Sequence, residues 1–343
     1  MKKKILVTGG TGYIGSHTSV ELIEQGFDVV IIDNLYNSRA DVVDRINKIT
    51  GTKPHLEVLD LLDNEKLDKF IQHHKDISAV IHFAAFKAVG ESVNKPLDYY
   101  RNNLFSLVNL LEVMKRYGIP DLVFSSSCTV YGQPEKLPVA EDAPLQPATS
   151  PYGNTKQIGE SIIRDTTIAD KNLKAISLRY FNPIGAHPSA LIGELPRGVP
   201  ENLVPYLTQT GYGIREELKV FGDDYDTPDG SCIRDYLHVV DLAKAHVIAI
   251  KRLIEGKNKA DYEVFNLGTG TGVSVLEAIK SFERVSGIKL KYKIVGRRTG
   301  DIEKIWADPS FANKELGWRT LSSLDDAMKT AWDWEKTLRS NKL

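Results

Sequence analysis

Cysteine and unbalanced charge are both scarce in this sequence of 343 residues. Cys128 and Cys232 are too few for a disulfide framework and lack metal-ligand spacing, so we expect no metal site and a reducing, cytoplasmic compartment. Basic and acidic residues number 44 and 45, which argues against a nucleic-acid partner. No apolar run approaches a membrane span and no signal-peptide pattern opens the chain, so we expect no membrane partner.

The sequence begins with the pattern of a strand, a glycine-rich turn and a helix. The apolar segment Lys4-Ile-Leu-Val-Thr8 runs into Gly9-Gly-Thr-Gly-Tyr-Ile-Gly15, and a helix is predicted over 16–26. A second strand, 28–32, ends at Asp33, 18 residues after the last glycine of the turn. Such glycines let backbone N–H groups approach a pyrophosphate, and the acid accepts from a ribose 2′-hydroxyl. The pattern predicts a dinucleotide site for NAD, because Asp33 would repel the 2′-phosphate of NADP.

Strand and helix signals continue to alternate as far as residue 181, which predicts a parallel, doubly wound sheet. Ligands of such sheets lie at the carboxyl ends of the strands. Besides the glycine-rich turn and Asp33, the carboxyl ends of the strands carry Asp60, residues 83–87 and residues 125–127. Ser127 therefore lies on the cofactor edge, although a serine that closes a strand explains it equally well. His82 lies within an apolar strand, where a structural role is the simpler interpretation.

The segment Tyr152-Gly-Asn-Thr-Lys156 is the strongest candidate for catalysis. Ser150 and Pro151 predict a helix start, and the helix places Tyr152 and Lys156 on one face, four residues apart. A phenol has an ordinary pKa of about 10, so forming phenolate near pH 7 costs about 4 kcal/mol. A nearby ammonium offsets that cost by lowering the pKa of the phenol. Taken alone, an exposed Tyr and Lys on an ordinary helix remains the alternative.

From 185 to 230 the sequence is rich in Pro and Gly and mostly irregular, which predicts a Rossmann-type domain over 1–182 and a smaller α+β domain over 183–343. Residues 236–270 are expected to return to the first domain. Arg234 and Arg298 are candidates for holding a diphosphate, because guanidinium binds phosphate oxygens bidentately, with surface arginine as the alternative. A late turn, Gly268-Thr-Gly-Thr-Gly272, is a weak phosphate candidate, since no acid-ended strand follows it.

Taken together, the segments resemble the extended short-chain dehydrogenase/reductase superfamily, and within it the UDP-glucose 4-epimerase family. The resemblance covers nearly the whole chain. The segments that carry it are Thr8-Gly-Gly-Thr-Gly-Tyr-Ile-Gly-Ser-His17, His82-Phe-Ala-Ala, Lys87-Ala-Val-Gly-Glu-Ser92, Phe124-Ser-Ser-Ser-Cys-Thr-Val-Tyr-Gly132, Ser150-Pro-Tyr-Gly, Arg179-Tyr-Phe-Asn-Pro183, Gly185-Ala-His-Pro188, Arg234-Asp-Tyr236 and Trp306-Ala-Asp308.

The resemblance implies a role for each matching residue. Tyr152 is expected to be the base and acid, Lys156 to lower its pKa, and Ser127 to hydrogen-bond the reacting hydroxyl. The residues expected to contact NAD are Gly9, Gly12, Tyr13, Ile14, Gly15, Asp33, Asn34, Asn37, Ser38, Asp60, Leu61, Phe83, Ala84, Ala85, Lys87, Asn102, Ser127, Tyr152, Lys156, Tyr180 and Phe181. Those expected to contact the UDP-sugar are Lys87, Ser127, Tyr152, Asn182, Asn202, Leu203, Lys219, Val220, Phe221, Arg234, Tyr236, Arg298, Asp301 and Ile305.

The implied reaction is the reversible epimerisation of UDP-glucose and UDP-galactose at C4, as part of galactose metabolism. It passes through a 4-keto sugar with transient reduction of bound NAD. The family also implies a homodimer that pairs helices near 99–117 and 153–170.

Three other functions compete with this interpretation, two of them enzymatic and one non-enzymatic. Nucleotide-sugar 4,6-dehydratases resemble this family but carry an Asp-Glu pair where this chain has Cys128 and Thr129, neither of which can eliminate water. A net oxidoreductase and a non-enzymatic NAD-dependent binding protein are the other two. A binding protein has no need of Tyr152, Lys156 and Ser127 together.

Ile305 is where the sequence departs from part of the family. The position before Trp306 is expected to lie beside the C2 substituent of the sugar. Family members restricted to plain hexoses often have Tyr there, and those accepting N-acetylhexosamines have a small residue. Ile is smaller than Tyr but branched and stiff. We therefore expect UDP-glucose as the main substrate and UDP-N-acetylglucosamine as a weak one, with a UDP-N-acetylglucosamine 4-epimerase as the alternative.

Overall fold

A computed structural model describes residues 2–298 and 301–340 of the chain. Strands and helices alternate along its first 180 residues. The strands are β1 (Lys4–Thr8), β2 (Asp28–Asp33), β3 (His55–Val58), β4 (Ile77–His82), β5 (Asp121–Ser125), β6 (Lys174–Tyr180), β7 (Asn182–Ile184), β8 (Leu218–Phe221), β9 (Ile233–Arg234), β10 (Tyr236–His238), β11 (Tyr262–Leu267), β12 (Val273–Ser274) and β13 (Tyr292–Val295). The helices are α1 (Tyr13–Glu24), α2 (Val42–Thr50), α3 (Asn64–His73), α4 (Val89–Asn94), α5 (Pro96–Tyr100), α6 (Ser106–Tyr117), α7 (Pro151–Ala169), α8 (Leu203–Gly211), α9 (Val239–Ile254), α10 (Val275–Ser286), α11 (Ser310–Glu315) and α12 (Leu324–Arg339).

A seven-stranded sheet with the order β11-β6-β5-β4-β1-β2-β3 is the largest element of the fold. The strand pairs from β6 through β3 are all parallel. Strands β1, β4 and β5 are buried almost throughout, as expected where helices cover both faces of a parallel sheet. The strand order reverses between β1 and β4, which is where such sheets bind ligands. The predicted doubly wound parallel sheet is confirmed.

The chain divides into two compact units. The first consists of Met1–Gly132, Leu145–Arg179 and Ala243–Phe265, and the second of Gln133–Pro144, Tyr180–Leu242 and Asn266–Leu343. The sequence predicted one boundary at 182 and a return over 236–270. In the structure the main change of unit falls at 180, the returning segment is shorter, and a loop, 133–144, belongs to the second unit.

The second unit is a small α+β assembly. Its two-stranded sheets pair β10 with β7, β12 with β9 and β13 with β8. A core that includes Leu207, Phe282, Met328 and Trp332 holds α8, α10 and α12 together. The segment 185–230, predicted to be mostly irregular, contains α8 and β8 within it.

The predicted continuous helix over 99–117 is interrupted. A π-helical turn, Arg101–Phe105, joins α5 to α6 without any proline or glycine to signal it. Such turns are frequent at functional sites. Strand β5 ends at Ser125, so Ser127, which the sequence placed at the end of this strand, is not part of it.

Candidate active site

The glycine-rich turn after β1 has the shape of a pyrophosphate cradle. An alanine Cβ at Gly15 would stand 2.3 Å from the carbonyl oxygen of Gly9, so this close approach requires glycine. Helix α1 follows with Gly12 at its N-cap, and glycine has no side chain to cap the first turn. The N-terminus of a helix favours an anion both through its N–H groups and through the helix dipole.

Asp33 ties the glycine-rich turn to the loop after β2. One carboxylate oxygen accepts from the backbone N–H of Thr11 at 3.1 Å, and the other accepts from the Leu35 N–H and the Ser38 hydroxyl, both at 2.9 Å. A carboxylate has about four acceptor positions, so these three bonds leave capacity for a ribose hydroxyl. The cradle and this carboxylate together fit a dinucleotide without a 2′-phosphate.

The other predicted cofactor residues of the first unit lie on the same edge. Gly9 donates to the Ile32 carbonyl, and Phe83 donates to the Thr8 carbonyl, which aligns the loops after β1, β2 and β4. The Asn34 amide donates to Asp60 at 3.0 Å, and the Lys87 ammonium lies 5.8 Å from the centre of the Tyr13 ring. Parallel strands bring together the predicted residues Gly9, Gly12, Tyr13, Ile14, Gly15, Asp33, Asn34, Asn37, Ser38, Asp60, Leu61, Phe83, Ala84, Ala85 and Lys87.

Helix α7 begins as the sequence predicted. The Ser150 hydroxyl accepts from the Gly153 N–H at 3.1 Å, and Pro151 occupies the first turn. Tyr152 and Lys156 are both buried on this helix, with the ammonium 5.9 Å from the centre of the Tyr152 ring. The ammonium donates to the Ser125 carbonyl at the end of β5, at 2.6 Å. The sheet edge thus fixes the cation beside the phenol.

The surroundings of Lys156 control its charge. Burial lowers the pKa of Lys156 to about 8, and the nearby Glu160 carboxylate opposes that fall. His82 hydrogen-bonds Thr8 at 2.7 Å, and burial, with a smaller contribution from Lys156, lowers the pKa of His82 to about 3. His82 is therefore neutral near pH 7, and Lys156 is the local cation.

Ser127 caps a 3₁₀ turn, Cys128–Tyr131, rather than closing a strand. Its hydroxyl oxygen accepts from the Thr129 N–H at 3.2 Å. The start of α7 packs on this turn, because the Gln157 amide donates to the Val130 carbonyl at 2.7 Å. The turn therefore links Ser127 to the helix that carries Tyr152, and the serine O–H remains a donor.

Sequence reasoning missed the residues that support this group. Glu160 lies one turn beyond Lys156, where it accepts hydrogen bonds from Arg179, the shortest at 2.6 and 2.9 Å, and one from Ser126 at 2.5 Å. Arg179 also donates to the Tyr131 hydroxyl at 2.9 Å. The i, i+4 spacing from Lys156 was the signal available for Glu160.

Asn103 is another residue that the sequence analysis missed. It lies in the π-helical turn next to Asn102, which donates to it at 2.9 Å. Its amide donates to the Phe86 carbonyl and to Thr155, and its oxygen accepts from the Phe86 N–H. Asn103 thereby holds the loop after β4 against α7. A polar residue among the apolar residues of a helix gives only a weak signal of this role.

The second unit contains a cluster of predicted diphosphate residues. The Arg298 guanidinium donates to Asp301 at 2.7 Å and lies 5.5 Å from the centre of the Phe221 ring. Arg234 approaches the same carboxylate at 4.0 Å. Burial alone would lower the pKa of Arg298, but Asp301 raises it above its ordinary value. Two guanidinium groups around one carboxylate leave a net positive charge, which suits an anionic ligand.

The other predicted substrate residues differ in accessibility. Lys219 and Phe221 point outward from β8, whereas Val220 is buried between them, so its side chain is not available to a ligand. Burial raises the pKa of Tyr236 to about 12, so its hydroxyl stays protonated. Asn202 directly precedes Leu203, the first residue of α8, and its amide donates a hydrogen bond to the Glu194 carboxylate at 2.7 Å. The remaining predicted residues of this unit are Tyr180, Phe181, Asn182 and Ile305, of which Tyr180, Phe181 and Ile305 are buried.

Two features are absent from residues 2–298 and 301–340. Within those ranges no group of three His, Cys, Asp or Glu side chains has the arrangement of a metal site. No helix there combines the length and apolar character needed to cross a bilayer.

Comparison with known proteins identifies the family. Residues 5–268 match the model of the NAD dependent epimerase/dehydratase family. The chain belongs to this family. Among its relatives, a UDP-glucose 4-epimerase from Bacillus subtilis is 51% identical over 333 residues, covering 97% of both chains. The human UDP-glucose 4-epimerase is 50% identical over 342 residues, covering 98% of this chain and 97% of the relative.

A solved structure of the family gives the same result. The UDP-glucose-4-epimerase from Stenotrophomonas maltophila, with bound NAD and formylated UDP-arabinopyranose, superposes with a TM-score of 0.95 at 48% identity, covering 98% of this chain and 99% of that one. The resemblance drawn from the sequence motifs is therefore confirmed.

Proposed function

We propose that this protein interconverts UDP-glucose and UDP-galactose by inverting C4 of the hexose, with NAD as its cofactor. The observation that carries the proposal is the buried pair Tyr152 and Lys156, whose ammonium is held by the Ser125 carbonyl at 2.6 Å. This pair lies in a chain about half identical to UDP-glucose 4-epimerases.

The proposed chemistry assigns one proton transfer to Tyr152. Its phenolate oxygen takes the proton of the sugar 4′-hydroxyl and later returns it to the same oxygen. Lys156 favours the phenolate by its charge, and the Ser127 hydroxyl donates to the reacting sugar oxygen. Bound NAD supplies the acceptor and donor of hydride. The 4-keto sugar would have to present its other face to the cofactor before hydride is returned to C4, because delivery to the opposite face is what inverts C4.

We assign the UDP moiety to the second unit. Arg234 and Arg298 would bind the diphosphate oxygens, because Asp301 already orients both guanidinium groups. Phe221 supplies an exposed ring beside Arg298. If the protein holds the substrate by its diphosphate, the hexose can rotate and present its other face. If it held the hexose itself, that rotation would be blocked.

We also propose a homodimer that works in the cytoplasm. Large apolar side chains are exposed on or next to the helices implied by the family, including Leu97, Phe105 and Ile168. A second copy of the chain would bury them, and burial of apolar area favours association. No disulfide joins Cys128 to Cys232, which suits a reducing compartment. Sedimentation equilibrium tests the dimer, and a monomer at micromolar concentration would contradict it.

The activity is tested by incubating the purified protein with UDP-glucose, with and without added NAD, and separating the products by chromatography. We expect UDP-galactose, with no net NADH. A 4-keto-6-deoxy sugar would indicate a dehydratase, net NADH an oxidoreductase, and no product a binding protein.

Tyr152→Phe is the matched variant for that experiment. It keeps the ring and removes the hydroxyl, so we expect retained NAD and turnover lowered about 10²- to 10⁴-fold. A kcat near that of the unchanged protein would remove Tyr152 from the proposed mechanism.

A further inference from the structure

Two aromatic side chains meet at the cofactor edge, and one of them lies within the predicted segment 83–87. Tyr36 lies in the loop after β2 and Phe86 in the loop after β4, with ring centres 4.8 Å apart and planes inclined by 39°. In the sheet β1 lies between β4 and β2. The ring contact therefore connects the two loops on either side of the glycine-rich turn that follows β1. We call this pair the aromatic strap.

The two halves of the strap are held differently. Asn103 fixes the backbone of Phe86 through both its N–H and its carbonyl, and the Phe86 ring packs edge-on against Tyr99 at 5.6 Å. Tyr36 is 54% exposed, and its backbone N–H donates to the Asn34 side chain at 3.0 Å. The residue before it, Leu35, has a φ of 58°, which is unusual outside glycine.

The strained backbone at Leu35 serves the position of Tyr36. Strained residues persist where the surroundings enforce them, and here Asp33 accepts from the Leu35 N–H at 2.9 Å. The same carboxylate also accepts from Thr11 in the glycine-rich turn. One acid thus organises both the cradle and the loop that carries Tyr36 toward Phe86.

The loop after β4 also leans over the turn. Lys87, next to Phe86, places its ammonium 5.8 Å from the centre of the Tyr13 ring at the start of α1. A cation over that helix start suits a pyrophosphate.

We propose that the aromatic strap closes over the dinucleotide and slows its release. The inference rests on NAD as the cofactor and not on which sugar is converted. For the bound dinucleotide to leave, the contact between Tyr36 and Phe86 must open. A contact of this kind is worth a factor of about 2 to 10 in an equilibrium constant. The strap thus keeps the cofactor in place while the sugar is in its 4-keto form.

The test measures the release of NAD rather than turnover. The full-length protein is loaded with NAD and freed of excess, and a soluble dehydrogenase with its own substrate then reduces each released NAD to an absorbing product. We expect Tyr36→Ala and Phe86→Ala to release NAD about 3- to 10-fold faster. Tyr36→Phe keeps the ring and should release it at the rate of the unchanged protein.

A double variant tests whether the two rings act as one device. If they do, Tyr36→Ala combined with Phe86→Ala releases NAD no faster than the faster single variant, whereas independent contacts would multiply the effects. Tyr212→Ala is the matched control, since Tyr212 is an exposed tyrosine of the second unit with a ring contact to Trp332. It should leave release unchanged.

The outcomes that overturn the strap are specific. Unchanged release in Tyr36→Ala would do so, as would equally fast release from Tyr36→Phe, or multiplied effects in the double variant. Thermal unfolding without NAD checks that the variants fold. A protein that converts no UDP-glucose but shows the expected release rates would contradict the proposed substrate and leave the strap intact.

Discussion

The chain has two glycine-rich turns that follow buried strands, and they differ in what occupies them. After β1, the turn over 9–15 opens a helix and leaves its N-terminus to an incoming anion. After β11, the turn over 268–272 is already occupied, because the buried Asp235 carboxylate accepts from Thr269 at 2.7 and 2.8 Å and from Gly270 at 3.2 Å. The chain supplies its own anion there.

The difference shows that glycine spacing marks a close approach but not the identity of the group that approaches. Gly268 has no room for a Cβ, since one would stand 2.3 Å from an Asp235 oxygen. The same carboxylate accepts from the Ala307 N–H at 3.1 Å. The second turn therefore anchors the segment that carries Ile305, whereas the first leaves a helix N-terminus open to a ligand.

Matched alanine variants at the two turns separate these roles and give the largest expected effect. Gly15→Ala forces a Cβ against the Gly9 carbonyl, so the purified protein should contain no NAD and bind added NAD at least about 10-fold more weakly. Gly268→Ala should lower the free energy of unfolding by about 1–3 kcal/mol and retain NAD. Nucleotide extraction and thermal unfolding measure both. Loss of NAD in Gly268→Ala would show that the second turn also serves the cofactor.

Substitution of Ile305 is expected to affect one substrate only, which is a smaller effect than loss of the cofactor, and it tests what the second turn positions. Ile305 is 2% exposed, and its N–H donates to the Ile233 carbonyl at 3.2 Å, so its place beside the turn is fixed. Ile305→Tyr should lower kcat/KM for UDP-N-acetylglucosamine by about 10- to 200-fold and spare UDP-glucose.

Ile305→Ala is the opposite control and should raise the activity toward the N-acetylated sugar. Equal loss on both sugars in Ile305→Tyr, or no loss on either, would remove Ile305 as the determinant of sugar choice.

Local rules account for what the sequence predicted well. The Ser150 cap, Pro151 and the four-residue spacing of Tyr152 and Lys156 depend on contacts within one helical turn. The positions of Asp33 and the glycine-rich turn depend on strands whose apolar runs are easy to recognise.

The rest depends on contacts between residues far apart in the chain. No pattern near Lys156 shows that its ammonium donates to Ser125, 31 residues away. No motif shows that Asp235 fills a turn 34 residues later. The π-helical turn at Arg101–Phe105 contains no proline or glycine that would signal it, and the Asn103 contacts to Phe86 and Thr155 accompany it.

The edge strand β11 has a consequence for the synthesis of the protein. Strand β6 pairs with β5 on one side and β11 on the other, yet β11 comes from Tyr262–Leu267, long after β6 has left the ribosome. Until then β6 presents an unpaired edge, which is a template for association with other chains. A fragment that ends near residue 182 keeps that edge permanently. Recombinant truncations should therefore extend past Leu267, and the growing chain is most prone to aggregate between these two strands.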